Sequence, residues 1–216
     1  MTTAPEFADE LQQVLPADLP NRDAVIQKCA LHLALIVEAN EYLNLTRIVS
    51  PREAAIKHVL DSVLPWRLFL GARRVLDAGT GAGFPGIPLA LVLPDIRFTL
   101  SESIQKKARF VEGALAKLEL PNVTVSSQRA EELTKSAPID ILTARALAPL
   151  PKALDLFGPA LKKGMRALLY KGPDTQQEIA DAERELKKFR LRAEVAVTYD
   201  LPDSLGTRTI IRLDLP

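Results

Sequence analysis

From Asp23 onward apolar residues recur at three- and four-residue steps: Val25, Ile26, Cys29, Leu33, Ile36, Val37 and Leu43. That spacing predicts an amphipathic helix. A second helix is announced by Ser50-Pro51-Arg52-Glu53. Ser as N-cap, Pro at the first helical position and Glu at the third make a capping box. It carries Ala54, Ile56, Val59, Leu60 and Val63 on one stripe before Pro65, and Asn44–Arg47 forms the link between the two helices. From residue 73 the period changes. Short runs of aliphatic and β-branched residues mark strands at Arg74–Ala78, Arg97–Ser101, Val123–Ser126, Ile139–Thr143, Ala167–Lys171, Arg192–Tyr199 and Thr207–Asp214. Helical patterns fall near Pro85–Leu93, Ser103–Leu118, Leu150–Leu161 and Thr175–Phe189. Strand–helix alternation predicts a mostly parallel sheet covered on both faces. Only Asp200–Gly206 joins the last two strands, too short for a parallel crossover, so they should form an antiparallel hairpin. The expectation is an α/β fold with a seven-stranded sheet over 71–216 and a helical extension over 1–70 packed on it.

Composition narrows this picture. With 47% hydrophobic and 25% charged residues the chain has the make-up of a globular protein. One cysteine, Cys29, excludes an intrachain disulfide, and with only His32 and His58 beside it a structural zinc site is not expected. The start, MTTAPEFADE, is acidic and lacks a signal-peptide pattern, and no apolar run approaches the ~20 residues of a membrane span. A soluble, cytoplasmic protein is expected, with no metal and no membrane partner. The net charge of +1 does not announce a nucleic-acid binder. Its distribution is uneven, however: residues 1–60 carry a net of −3 and residues 61–216 a net of +4. Basic clusters stand at Arg73-Arg74, Lys106-Lys107-Arg109, Lys162-Lys163-Arg166 and Lys187-Lys188-Arg190-Arg192.

The stretch with most chemical content is Val75-Leu76-Asp77-Ala78-Gly79-Thr80-Gly81-Ala82-Gly83-Phe84-Pro85-Gly86. A strand ends in an acid, turns through alternate glycines and opens a helix. Such glycines let the backbone approach a ligand closely. Glu102 follows the next strand, where an acid can meet ribose hydroxyls. A dinucleotide and S-adenosylmethionine both fit this unit. Asp77 separates them, because a carboxylate beside the loop repels a pyrophosphate and attracts a methionine ammonium group. The hairpin and the lack of a second catalytic domain point the same way, to the methyl donor.

These residues, with Asn44-Leu45-Thr46, Lys57-His58-Val59-Leu60-Asp61-Ser62, Arg129-Ala130-Glu131, Thr143-Ala144-Arg145-Ala146 and Tyr170-Lys171-Gly172, resemble the small-subunit ribosomal RNA methyltransferase G family (RsmG/GidB). The resemblance runs from about Asn44 to Lys171, roughly 60% of the chain, and the loop continued by Phe-Pro-Gly-Ile-Pro-Leu is its most specific part. It implies a Rossmann-like S-adenosylmethionine-dependent methyltransferase fold and methyl transfer to N7 of one guanine in a decoding-region loop of 16S rRNA. The substrate would be the small ribosomal subunit or an assembly intermediate, with no obligatory protein partner. The resemblance also implies that Gly79 and Phe84 contact the donor, that Ala130 and Glu131 line its adenine side, that Glu102 with Ser103 meets the ribose, and that Arg145 completes the site. With Asp77 and Gly81 from the loop, these are the candidate donor-binding residues. His58, Arg145 and Lys171 are the candidate RNA contacts.

Guanine N7 carries a lone pair and no proton, so its attack on a sulfonium methyl needs no general base. No catalytic acid or base is therefore expected. His58, Asp61 and Arg145 are positioning candidates, the first two sharing a helix face. Arg145 would bind the methionine carboxylate or an RNA phosphate rather than the base. Trp66 and Cys29 read as packing residues. The competing functions are a methyltransferase of a small molecule or protein, a nicotinamide-dependent oxidoreductase, and a non-catalytic ribosome assembly factor.

Overall fold

Seven strands form one sheet in the order β3-β2-β1-β4-β5-β7-β6. They are β1 Arg74–Ala78, β2 Arg97–Ser101, β3 Val123–Ser126, β4 Ile141–Arg145, β5 Arg166–Lys171, β6 Arg192–Asp200 and β7 Thr207–Asp214. The computed structural model describes residues 3–216, so Met1 and Thr2, the start of the segment read as lacking a signal peptide, lie outside the described residues. β1 to β5 are parallel; β7 runs antiparallel between β5 and β6, so the hairpin enters the sheet by its second strand. Direction of travel across the sheet reverses between β1 and β4, which opens a crevice at their carboxyl ends. Among the described residues no helix is long and apolar enough to cross a membrane.

The helices are α1 Ala4–Val14, α2 Arg22–Leu43, α3 Pro51–Ala54, α4 Asp61–Val63, α5 Gly86–Val92, α6 Gln105–Leu118, α7 Ala130–Ser136, α8 Leu150–Leu161, α9 Thr175–Asp181 and α10 Glu183–Phe189. α5 and α6 pack on one face of β1–β3, and α2 and then α1 extend the same cluster, in which Phe7, Leu11, Cys29, Leu33, Phe98 and Leu100 are buried together. The other face meets α8 to α10 through Leu76, Leu142, Leu154, Phe157 and Leu169. The amino-terminal helices therefore share one hydrophobic cluster with the sheet.

Several local expectations are corrected. β4 begins two residues later than the apolar run, because Asp140 points its Oδ2 to the backbone N–H groups of Arg73 and Arg74 at 2.7 and 2.8 Å. Pairing then starts at Val75↔Ile141 and carries Arg145 onto the strand's end. Ser50 occupies the N-cap and Pro51 follows, but the serine side chain makes no capping bond; Glu53 pairs with Lys57 at 2.7 Å instead. The helix it opens changes winding, with Ala55–Leu60 as a π-helical segment between α3 and α4. The single helix expected over 175–189 breaks at Ala182, which is fully buried, and α10 then lays Phe189 on Gly158. Two helices had no sequence reading. α1 is capped by Thr3, whose backbone N–H donates to Glu6 Oε2 at 2.7 Å. α7 buries only Ala130 and so carries no apolar stripe.

Candidate active site

β1 ends in the glycine loop, and the loop is held by its own acids. Gly79 and Thr80 donate their N–H groups to Ser101 O at 2.9 and 3.0 Å, which pins the turn to the end of β2. Gly79 takes φ +71°, a conformation that disfavours a side chain. Asp77 is completely buried; its Oδ2 accepts from Thr80 Oγ1 at 2.6 Å and from Gly86 N at 2.8 Å. A methyl group on Gly86 would stand 2.2 Å from Leu100 Cδ2 and 2.8 Å from that carboxylate oxygen, so the strand, loop and helix close only around glycine there. Burial raises the Asp77 pKa to about 6 against the lowering effect of those two bonds. Its Oδ1 is buried with no partner among the described residues. Glu102 accepts from Gly81 N at 3.1 Å through one oxygen and from Ile104 N at 2.8 Å through the other.

Two cavities open at this carboxyl edge. The smaller, about 240 Å³, is lined by Gly79, Ser103, Ala130 and Glu131 together with Arg129 and Lys152. Four of the expected donor-binding residues thus come together on one wall. The larger, about 860 Å³, is lined by Lys57, His58, Asp61, Arg145, Lys171 and Arg208 among others. Leu147 and Ala148, in the loop between β4 and α8, border both cavities. Asp77, Gly81, Phe84 and Glu102, also expected at the donor site, line neither.

Phe84 is instead the centre of a stack. The His58 ring lies parallel to it at 4.8 Å, His32 tilts against it at 5.0 Å, and Arg145 places Cζ 5.5 Å from its centroid. His32 faces the carbonyl of Ala82 through Nε2 at 2.8 Å, and His58 Nε2 meets Thr46 Oγ1 at 3.1 Å. Burial lowers the His32 pKa to about 4. His58 falls to about 3 through burial and then the Arg145 charge. Both rings are neutral at pH 7.

Asp61 gathers the charged groups of the larger cavity. Its side chain is 1% exposed, and its Oδ2 accepts from Arg145 at 3.3 Å and from Arg208 at 3.2 Å. Tyr199 donates to Asp61 Oδ1 at 3.1 Å, its phenol pKa pushed up by burial and by that carboxylate. Arg145 also donates to Lys57 O at 2.7 Å, which ties β4 to the π-helical segment. Lys171 pairs with Glu178 at 2.6 Å and donates to Ala148 O at 2.8 Å.

Sequence reasoning brought His58, Asp61 and Arg145 to one place but missed Arg208, Tyr199, Glu178 and Leu147. Arg208 and Tyr199 are cross-strand partners in the terminal hairpin, and they reach Asp61 only because β7 inserts beside β5. No spacing in the sequence encodes that insertion.

The sequence model of the family described as rRNA small subunit methyltransferase G matches residues 25–202. The chain belongs to this family. A ribosomal RNA small subunit methyltransferase G from Solibacter usitatus is 63% identical over 96% of this chain and 99% of its own length. One from Carboxydothermus hydrogenoformans is 35% identical over 86% and 81%. Among solved structures, an O-methyltransferase from Bacillus cereus in complex with SAH has a TM-score of 0.57 at 20% identity, covering 85% of this chain and 90% of that one. A SAM-dependent O-methyltransferase from Thermotoga maritima has a TM-score of 0.53 at 18% identity, covering 84% and 71%. At those identities the likeness is one of fold, a Rossmann-like methyltransferase sheet. In this member of the family Gly79 of the glycine loop lines one cavity and the Asp61 cluster lines the other, with Leu147 and Ala148 on both.

Proposed function

We propose that this protein transfers the methyl group of S-adenosylmethionine to N7 of a single guanine in a decoding-region loop of 16S rRNA, within the small ribosomal subunit or an assembly intermediate. The observation that carries this reading, beside the family, is the pair of cavities that share Leu147 and Ala148, the smaller of them lined by Gly79 of the glycine loop. An ideal Cβ on Gly79 would stand 2.9 Å from Leu147 Cδ1, so only glycine lets Leu147 close on the loop backbone at the rim of the smaller cavity, where a ligand's amino-acid end can sit against Gly79. S-adenosylmethionine supplies an electrophilic sulfonium methyl when bound. Ser103, Ala130 and Glu131 hold its nucleoside end in the smaller cavity, and the Glu102 carboxylate beside Gly81 has lone pairs left for ribose hydroxyls.

The larger cavity takes the guanine. Its side chains suit a nucleophile that brings no proton: His58 is neutral and weakly basic, Asp61 is held by two guanidinium groups, and Lys171 is paired. What these residues do is orient and exclude water, and holding the reactants in line supplies the rate. Arg145 meets a phosphate or the methionine carboxylate by its free edge, since Asp61 and the Lys57 carbonyl fix Nη1.

The test is incubation with methyl-labelled S-adenosylmethionine and unmodified small subunits, followed by mapping of the label. Label on one guanine N7 is expected; label on protein, or none on RNA despite donor binding, overturns the reading. Gly79→Ala is expected to weaken donor binding about tenfold, since the methyl pushes Leu147 from the rim of the smaller cavity, and to cost ~1 kcal/mol of stability through the strain of φ +71°. Calorimetric titration with the donor checks this, and unchanged affinity would remove Gly79 from the site.

A further inference from the structure

The opposite edge of the sheet carries a second groove that the methyl-transfer site does not use. It holds about 640 Å³ between the α5–β2 link at Pro94 and Asp95, the α6–β3 link at Pro121 and Asn122, and the loop after α7. Its floor is set by strand register. Leu76, Thr99 and Thr124 lie side by side on β1, β2 and β3, and two residues back along β1 and β2 stand Arg74 and Arg97, also side by side. Successive side chains on a strand alternate in face, so the arginine pair and the threonine pair point into the same groove. α7 is only seven residues long and leaves this part of the sheet open, which is why threonines occupy a position that a covering helix would make apolar.

Charge distinguishes this edge from the catalytic one. Around the larger cavity Arg145, Arg208, Lys171 and Lys57 are each paired with an acid. At the amino edge Arg73, Arg74 and Arg97 are exposed, Arg166 is half-buried at the start of β5, and among the described residues none of the four has a carboxylate within ion-pair distance. Asp140 and Asp95 are the acids nearby, and Asp140 turns Oδ2 to the Arg73 and Arg74 backbone. Two adjacent guanidiniums over a hydroxyl floor, with no aromatic ring for a base to stack on except the buried Phe98, match a sugar–phosphate backbone.

We propose that this groove is a second RNA-binding surface, gripping phosphates of the small-subunit RNA away from the methylated loop. The proposal rests on the reading of 16S rRNA as substrate. The two sites open at opposite ends of the strands, about 16 Å apart through the sheet, so RNA seated in the catalytic crevice reaches the groove only by wrapping around the domain. An extended or assembled RNA does. A weakly charged protein thereby gains affinity for the large substrate while the cations of its larger catalytic cavity stay paired.

The test is the double variant Arg74→Ala/Arg97→Ala, with RNA binding measured by filter retention and methyl transfer measured separately. Both side chains lack ion-pair partners, and donor affinity and thermal melting report an intact fold. Expected are a roughly tenfold loss of affinity for deproteinised 16S rRNA and for small subunits alike, and a salt slope lower by about 1.5. Donor affinity, kcat and affinity for a short hairpin carrying only the target loop should be unchanged. Equal loss on the short hairpin would reduce the effect to a general field and overturn the proposal, as would no loss anywhere. Loss on the particle but not on stripped RNA would assign the groove to an acidic ribosomal protein and also overturn it. A wild-type protein that binds RNA through these arginines yet transfers no methyl to it would overturn the function reading and leave the surface standing.

Discussion

Asp61→Asn is expected to lower kcat/KM for RNA methylation by about 100-fold while leaving donor affinity within a few-fold of the unsubstituted protein. The carboxylate sits almost wholly out of solvent between Arg145 and Arg208, with Tyr199 on its other oxygen. Asparagine keeps the volume and one accepting oxygen but removes the charge that allows two guanidiniums to lie on the same atom. They then repel, and Arg145 leaves its place over Phe84. Displacing a positioned group by about 1 Å is enough for a loss on the order of 100-fold, or about 2.7 kcal/mol at the transition state. Asp61→Ala should add a stability loss of about 3–5 kcal/mol, because it strands buried charges without a partner. Tyr199→Phe, which removes one bond to Asp61 and leaves the charges balanced, should cost about 1 kcal/mol of stability and little activity. Removing Arg208 together with the Asp61 charge, as Arg208→Met/Asp61→Asn, should recover part of the lost rate, since a single guanidinium no longer faces another. Steady-state kinetics on small subunits with donor titration in parallel decide the matter. Unsubstituted rates in Asp61→Asn would show that the cluster is structural only.

The residues that carry this argument were unequally legible in the sequence. The glycine loop was visible because its requirement is local: positive φ at Gly79 and no room for a methyl at Gly86 act within a dozen residues. Glu102 was visible for a similar reason, one strand away. What Asp77 does was not legible. An acid before the loop was read as a lure for a cationic ligand, whereas the structure shows one carboxylate oxygen holding Thr80 and Gly86 together, and its direct donor contact stays a proposal. His58 and Asp61 were placed on one α-helical face, yet the chain there is π-helical, a winding that hydrophobic spacing does not distinguish. Lys171 was read as an RNA contact from its strand-end position, and the Glu178 that takes its charge lies in a helix whose place depends on the whole sheet. Arg208 and Tyr199 illustrate the general reason. Their partner is 138 to 147 residues away in the chain, and contacts of that separation are set by topology rather than by pattern.

Between pH 7 and pH 4.5 the protein is expected to lose about 3 kcal/mol of stability, and two buried histidines set the sign. His32 and His58 have pKa values of about 4 and about 3 in the fold, below their ordinary value of 6.5. Below pH 6.5 the unfolded chain therefore binds protons that the folded one refuses, and stability falls with falling pH. Asp77 acts in the opposite sense. Its pKa of about 6 in the fold lies above the ordinary 3.8, so the folded protein binds the extra proton and gains stability as pH drops through that window. Over this range the histidines remove about 5 kcal/mol and Asp77 returns about 2 kcal/mol. Urea unfolding midpoints at a series of pH values measure the net effect. His32→Gln, whose amide can still donate to the Ala82 carbonyl, should remove about half of the histidine share. Stability that is flat or that rises toward pH 4.5 would mean that Asp77 outweighs the histidines. The same titration bears on function, since His58 stacks on Phe84 and lines the larger cavity with Arg145, so a proton on it sets a second cation near the guanidinium. Because His58 takes a proton in the fold only near pH 3, donor affinity of the folded protein should hold down to pH 4.5, and its loss below that should track unfolding.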